Sequence, residues 1–385
     1  MGITQKRIGI IGGGQLGKIM ILEAKRLGFY VAVLDPAPDC PSHSICDLLI
    51  VSDLDDPKGY DEISKRTDII TYEWENISAD ALENLEKKGH VIYPSVSSLR
   101  KIQNKYVQNN ELKENGILVP KFALVSSTEE IRELGKPENF GYPLMLKTTK
   151  GGYDGKGVAP IKTEADVEDA FMQLGGGVKE LMVEEFIDFQ KEISVIACRG
   201  INGEKTVYPV AENTHTNTIL DTTIVPAIIS EEISLKAADI ANQVMSVFEG
   251  VGTFCTEMFL AENGDIYVNE VAPRPHNSGH YTIEGCFANQ FENHIRAIVG
   301  LPFGDTSMIT PAVMVNLLGE SNGAAKLLGL EEAYHDPLVH VHLYGKSESK
   351  TGRKMGHYTV VGKTQECTIE RAEKLKQIIR IVGEK

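Results

Sequence analysis

The sequence predicts an α/β domain with a parallel sheet, then a longer α+β segment, then a small C-terminal α+β domain. Three observations carry this. Over the first hundred residues short apolar strands alternate with amphipathic helices, the pattern of βαβ units. From Pro120 antiparallel strand signals appear, and a glycine-rich loop, GGYDGKG, interrupts them. After Gly300-Leu301-Pro302 a short stretch of strand and helix signals surrounds a basic loop.

In the first part the strands fall at residues 8–12, 31–34, 48–51, 69–71 and 90–93, with helices at 15–27 and 79–88. The strands are short and apolar, as strands buried on both faces are. Residues 8–20 read IGIIGGGQLGKIM. Gly12, Gly14 and Gly17 fit G-x-G-x-x-G between strand and helix. The strand at 31–34 ends at Asp35, about where a ribose-binding acid falls in dinucleotide-binding folds. On these residues alone the chain reads as an NAD(P)-dependent oxidoreductase. The segment YPSVSSLRKIQNK then opens a helix with Ser95 or Ser97 as N-cap.

In the second part, strands at 121–125, 144–147 and 181–184 alternate with helices at 128–134 and 164–174. Antiparallel candidates follow at 193–197 and 206–209, and a long amphipathic helix at 231–248 precedes a hairpin. The last part contains a hairpin candidate, 339–344 with 357–361.

Composition narrows the function. A chain of 385 residues is long enough for two or three domains. Its net charge of −15 argues against nucleic-acid and anionic-membrane partners, so anionic substrates need local basic pockets. No apolar run approaches a membrane span. MGITQKRIGIIGGG enters a strand directly, with no signal-peptide h-region. The six cysteines (Cys40, Cys46, Cys198, Cys255, Cys286, Cys367) form no C-x-x-C pair, as expected of reduced thiols in a cytoplasm.

The middle third carries the chemistry. Lys147 ends the apolar strand YPLMLK, and GGYDGKG (151–157), with Lys156, follows. Glycines let successive backbone N–H groups face a phosphate chain and lysines supply charge, although glycine density also describes a plain surface loop. The loop is not a Walker A motif. GTFCTEMFLAENGDIYVNEVAP reads strand, Asn263-Gly264 turn, strand. With a two-residue loop Glu262 pairs with Asp265, Met258 faces Asn269, and Glu257 faces Glu270. Two opposed carboxylates repel unless a cation sits between them, and carboxylates with nucleotide phosphates are the usual holders of Mg²⁺. Between loop and hairpin, residues 183–187 read as an extended connection able to meet a base edge, and Glu192 as an acceptor for ribose hydroxyls.

Lys147, GGYDGKG, VEEFI, Glu192 and the Glu257/Glu270 pair occur in the order of an ATP-grasp fold. With GGGQLGKIM, YEWENIS, KTTKGGYDGKG, NEVAPRPHNSGH and GRKMGH, the chain resembles the N5-carboxyaminoimidazole ribonucleotide synthetase family from Ile8 to about Val361. The resemblance implies a Rossmann-like pre-ATP-grasp domain (1–103), an ATP-grasp domain (104–300) with a mobile lid subdomain (about 121–187), and a C-terminal domain (301–385). It implies ATP-dependent carboxylation of 5-aminoimidazole ribonucleotide with bicarbonate, through carboxyphosphate. Whether the amine captures carboxyphosphate or released CO₂ stays open.

The resemblance also implies residue roles. ATP phosphates fall to Lys101, Lys147 and the loop Gly152, Tyr153, Asp154, Gly155, Lys156, Gly157 and Val158. The adenine falls to Glu184, Glu185, Phe186 and Ile187, the ribose to Glu192, and the nucleotide also meets His215. Lys101 is a partial departure, because arginine is common there and lysine lacks its planar fork. Glu257 and Glu270 are expected to hold Mg²⁺, or Mn²⁺, with Asn269 alongside. Arg274, His276 and Asn277 are expected at bicarbonate. Tyr153 and Asp154 are expected to close over the reacting centre, where Asp154 orients or deprotonates the amine, and Glu73 is a base or an orienting group. The ribonucleotide phosphate is assigned to Lys346, Arg353 and Lys354, with Lys354 also counted in the catalytic group. Lys350, His340 and His342 read as solvated or structural. Gly14, Gln15 and Leu16, at a helix N-terminus, become one wall of the ribonucleotide site, and Asp35 becomes the polar end of a strand. A homodimer is implied. The competing readings are the oxidoreductase, another ATP-grasp ligase such as a formate-dependent ribonucleotide transformylase, and a non-catalytic nucleotide-binding regulator.

Overall fold

The structure is a computed structural model and describes residues 6–152 and 155–384. Among these the chain forms sheets of five, four, nine and three strands. The first is wholly parallel, in the order Leu48–Val51, Tyr30–Asp35, Arg7–Ile11, Ile69–Tyr72, Val91–Ile92. Its central strand is buried on both faces. Ile8 and Ile10 pack with Met20 and Ile21 of the helix Gln15–Arg26 and with Phe291 and Ile295 of the helix Gln290–Val299. Ile11 packs on the other face with Tyr60, Leu82 and Leu99. Strand order reverses at Arg7–Ile11, so a crevice opens beyond the carboxyl ends of that strand and of Ile69–Tyr72. Gly12–Leu16 and Glu73 sit there. The helix Val96–Gln103 is capped by Ser95, whose hydroxyl accepts from Ser98 N at 3.2 Å.

The second sheet is antiparallel, in the order Phe122–Val125, Leu181–Glu185, Leu144–Thr148, Val158–Ile161. Helices Thr128–Leu134 and Val167–Gln173 bury Ile131, Val167 and Ala170 against it.

The nine-stranded sheet runs across the predicted C-terminal boundary. Strands Ala312–Leu318, Lys354–Val361 and Val339–Leu343 extend it from Ile219–Val225, with Ile224 opposite Val313. Three strands of the last part of the chain thus continue the preceding sheet and cover the edge that Ile219–Val225 would otherwise expose. The separate small sheet there joins Glu348–Ser349, Gly323–Leu328 and Arg380–Glu384.

The carboxylate-bearing hairpin corrects the predicted register while keeping its main pairing. Ala261 N donates to Asp265 O at 2.9 Å and Gly264 N to Ala261 O at 3.0 Å, with Gly264 at φ 83°. The loop therefore has three residues, Glu262 does not pair with Asp265, and Met258 faces Val268, not Asn269. A bulge at Asn269 then restores the count, and Glu257 faces Glu270. A bulge also puts two consecutive side chains on one face. Val268 and Val271 point into the core while Asn269 and Glu270 line the cleft.

His294, on the helix Gln290–Val299, joins the parallel sheet to the nine-stranded one. Its Nδ1 accepts from Thr253 N at 3.0 Å, which leaves Nε2 to donate to Thr71 Oγ1 at 2.8 Å.

Candidate active site

A cleft of about 620 Å³ lies where the three larger sheets meet. Gln15, Leu16 and Glu73 enter it from the parallel sheet, Lys147 and Glu184 from the four-stranded sheet, and Glu192, Glu257, Glu270 and Lys354 from the nine-stranded sheet.

At the parallel-sheet end, the Glu73 carboxylate lies across the glycine loop and accepts from Gly14 N and Gly17 N. A Cβ on Gly12 or Gly14 would meet its side chain at 2.5 Å. The glycines of GxGxxG thus make room for Glu73. The Gly14 N–H is spent on that contact, so Gly14 does not form the cleft wall, whereas Gln15 and Leu16 do. Burial raises the Glu73 carboxyl, against the two backbone donors. Asp35 is engaged as well, accepting from Gly13 N at 2.7 Å and Ala37 N at 2.8 Å.

At the opposite end the wall is largely apolar. Met145, Phe186, Ile187 and Phe259 line it, and Phe189 stacks on Phe259 at 4.6 Å. The chain leaves strand geometry between Leu181–Glu185 and Phe189–Arg199, so backbone groups near Phe186 and Ile187 can meet a base edge. An apolar slot bordered by a few directed polar groups suits a heterocycle. The Glu184 side chain faces Lys147 at 2.5 Å and accepts from Asn109 at 2.9 Å. Glu185 accepts from Lys121 N at 2.8 Å. Both carboxylates line the cleft and also tie down neighbouring elements. Glu192 pairs with His215 Nδ1. Burial opposes the imidazolium, but Glu192 and Glu257 outweigh it and raise His215.

Between the two ends the charges gather. Lys147 Nζ lies 3.3 Å from Asn269 Oδ1, and Lys105 Nζ lies 2.6 Å from Glu270 Oε1. Burial would raise Glu270, but Lys105 and Lys147 prevail and lower it. Glu257 has a longer contact, 3.9 Å from His276 Nε2, and burial with Glu270 and Glu192 nearby pushes its carboxyl up to about 7 despite His215. Such a carboxylate is under-compensated, which is the condition a divalent cation relieves. Among the described residues no three His, Cys, Asp or Glu side chains form a complete metal cage. Two carboxylates and an amide therefore suit a cation whose shell is finished by phosphate oxygens and water.

Arg274 pairs with Glu75 and lies 5.9 Å over the Trp74 ring. Burial disfavours its charge, yet Glu75 holds the guanidinium above its ordinary range. His276 is driven well below the usual imidazole range by burial and then by Arg274 and Lys354, so it is neutral. Its Nδ1 accepts from Ser278 N at 3.3 Å, which puts the ring proton on Nε2, toward the cleft. Asn277 also lines the cleft, with its amide paired reciprocally to Asn316 at 3.0 and 2.8 Å.

Several predicted residues lie elsewhere. Lys101 does not reach the cleft; it pairs with Glu111 at 2.9 Å. Lys105 occupies the expected place because Asn104 breaks the helix, ending Val96–Gln103 and capping Lys105–Glu114. The next helix therefore presents a different face. Gly152, Gly155 and Val158 line the cleft, whereas Lys156 and Gly157 do not; Tyr153 and Asp154 lie outside the described residues. Of the basic loop only Lys354 reaches the wall. Lys346 Nζ donates to Lys354 O at 2.7 Å, and Arg353 donates to Glu348 O at 2.8 Å. Lys105, Trp74, Glu75 and Asn213 were not anticipated. Trp74 and Glu75 stood in YEWENIS beside Glu73, and Lys105 stood one helical turn past Lys101.

Residues 5–103 match the ribonucleotide synthetase preATP-grasp domain, 110–291 the ATP-grasp domain, and 312–371 the phosphoribosylaminoimidazole carboxylase C-terminal domain. The chain is 43% identical over 368 residues to the N5-carboxyaminoimidazole ribonucleotide synthase of Bacillus subtilis (strain 168), covering 94% of this chain and 93% of that one. It superposes on the N5-carboxyaminoimidazole ribonucleotide synthetase of Thermotoga maritima with a TM-score of 0.90 and 46% identity, covering 99% of this chain and all of that one. The Aspergillus clavatus enzyme, solved with ADP and 5-aminoimidazole ribonucleotide, gives a TM-score of 0.90 at 32% identity, covering 98% and 99%. A site of this build, on three matching domains and over nearly the whole length of such relatives, leads to one conclusion: the chain belongs to the N5-carboxyaminoimidazole ribonucleotide synthase family of ATP-grasp ligases.

Proposed function

We propose that the protein converts ATP, bicarbonate and 5-aminoimidazole ribonucleotide to ADP, phosphate and N5-carboxyaminoimidazole ribonucleotide, by way of carboxyphosphate. The observation that carries this reading is one cleft holding both halves of such a reaction. The opposed carboxylates and Lys105 and Lys147 lie beside Arg274 and His276, and Glu73 and Lys354 close the far side. In this reading the apolar slot holds adenine, Glu192 the ribose, and Lys105 and Lys147 the phosphates through charge-assisted contacts. Glu257, Glu270 and Asn269 would hold Mg²⁺, which when bound neutralises charge on the phosphate oxygens. Arg274 and the Nε2–H of His276 bind the carboxylate oxygens of bicarbonate and stabilise the negative charge that shifts onto them. Glu73 and Lys354 face the amine and the ribonucleotide, next to Gln15 and Leu16. Water must be kept from so hydrolysable an intermediate, a task that falls to the glycine-rich loop over the cleft.

We place the enzyme in the cytoplasm as a homodimer. Free thiols among the described cysteines support the first, and likeness of sequence to the family supports the second. Among the described residues no helix is long and apolar enough to cross a membrane. The test is ADP release with ATP and Mg²⁺, with bicarbonate and aminoimidazole ribonucleotide added singly and together. Release that needs both is expected. Release that answers to formate instead would move the chain to the transformylase reading, and release indifferent to the ribonucleotide would refute the substrate assignment.

A further inference from the structure

His276 sits at the end of a buried chain of hydrogen bonds that has one direction. Asn213 and Thr223 are opposite each other on paired strands, and the Thr223 hydroxyl donates to Asn213 Oδ1 at 2.9 Å. With its oxygen so occupied, Asn213 presents Nδ2 to Ser194 Oγ at 2.8 Å. Ser194 then donates to Ser278 Oγ at 2.9 Å. Ser278 Oγ, having accepted, has its own proton to give, and His276 Nδ1 lies 3.0 Å away. The Ser278 backbone N–H meets the same nitrogen at 3.3 Å. Thr223, Ser194 and Ser278 are at most 1% exposed and Asn213 is 6% exposed, so water does not compete freely for these groups. Separately, Gln290 clamps the His276 backbone, accepting from its N–H at 2.9 Å and donating to its carbonyl at 2.7 Å. Gln290 thus fixes the main chain, and the side-chain relay fixes the ring.

We propose that Asn213, acting through Ser194 and Ser278, is a positioning residue that holds His276 as its Nε2–H tautomer with that N–H turned into the cleft. The Ser278 N–H already favours a bare Nδ1. Each hydroxyl in the chain could donate in either sense, and a carboxamide with one end committed makes the hydroxyls donate in that same sense, at the shorter of the two contacts. A second partner on the far ring nitrogen is the usual way to set which nitrogen of an imidazole faces a site. The consequence for catalysis rests on the reading of His276 as a donor to the bicarbonate-derived oxygens. The tautomer itself does not depend on that reading.

The experiment uses full-length protein with ¹⁵N-labelled histidine. Two-bond ¹H–¹⁵N correlation spectra separate Nε2–H from Nδ1–H rings, and His276→Ala assigns the signal. Wild-type His276 is expected to show Nε2–H. Ser278→Ala removes the hydroxyl donor. Asn213→Asp keeps the shape but cannot donate, so Ser194 turns toward it and the relay reverses. Both variants are expected to shift His276 toward Nδ1–H or a mixture, and to lower kcat by roughly ten- to a hundredfold with KM for ATP within about twofold. Unchanged His280 and His357 signals would show that the fold is retained. An Nδ1–H ring in the wild type, or an unaltered Nε2–H ring and kcat in both variants, would overturn the proposal. A shifted tautomer with unchanged kcat would uphold the relay and refute the role of His276 in the reaction.

Discussion

The Glu73 carboxylate accepts the backbone N–H of Gly14, and with it that of Gly17, across the glycine loop that opens the first helix. A dinucleotide pyrophosphate would need the ground that this side chain covers. NADH is therefore expected not to bind, so that titration leaves its fluorescence neither enhanced nor quenched. Glu73→Ala strips acceptors from two helix-terminal donors. It is expected to destabilise the protein by about 1–2 kcal/mol in urea unfolding and to lower kcat at least tenfold. NADH binding at micromolar concentration would reopen the oxidoreductase reading.

Glu270→Gln preserves shape and removes one charge from the opposed pair. Turnover is expected to fall by roughly a hundredfold or more. Circular dichroism should stay that of the wild type, and the Mg²⁺ concentration needed for half-maximal residual ADP release should rise. Wild-type turnover at the wild-type Mg²⁺ requirement would refute the pair as the metal site.

Lys105 and Lys101 are separated by one helical turn in sequence and by a helix break in space. Lys105→Met is expected to raise KM for ATP or lower kcat by roughly tenfold, the scale of a lost charge-assisted contact. Lys101→Met should stay within about twofold, since Lys101 pairs with Glu111 outside the cleft. Steady-state kinetics with varied ATP decide, and equal effects would contradict the placement.

Burial pushes His294 down to about 3, so it is neutral in the folded protein, whereas an unfolded histidine binds a proton near 6.5. Between those values the unfolded chain binds more protons, and stability falls as the pH drops below about 6.5. The contribution is intact above that pH and amounts to a loss of roughly 2 kcal/mol by pH 5. His276, His280 and His357 are lowered as well and act with the same sign. His294→Ala leaves Thr71 and Thr253 N without their partner. It should destabilise the protein by about 2–4 kcal/mol at pH 7.5 and flatten the acid slope by its own share. Urea unfolding at pH 7.5 and 5 measures both, and an acid slope unchanged in the variant would rule out His294 as its source.

Much of the site was legible locally. The Glu257/Glu270 pairing follows from strand periodicity about a turn, and the structure keeps it, but by a different route. A three-residue loop removes one step and the bulge at Asn269 returns it. Periodicity could not foresee two compensating irregularities. Lys101 was misplaced for a related reason, because spacing counts residues while Asn104 redirects the chain. Lys346 and Arg353 show the limit of charge counting: the basic run is real, yet one side chain of it, Lys354, reaches the cleft wall.

Local pattern was enough to read the alternating parallel domain, the antiparallel segments after it, and most of the charged residues that the cleft gathers. These depend on period, turn chemistry and side-chain chemistry, which are local properties. The tertiary structure alone decided what the glycine fingerprint is for. Its glycines are required because a distant glutamate, just past the end of a neighbouring parallel strand, lies over them. It likewise decided the ring orientation of His276, which passes through residues on three strands and a short turn far apart in the chain. Such contacts depend on the stacking of distant elements, and no pattern along one segment encodes them.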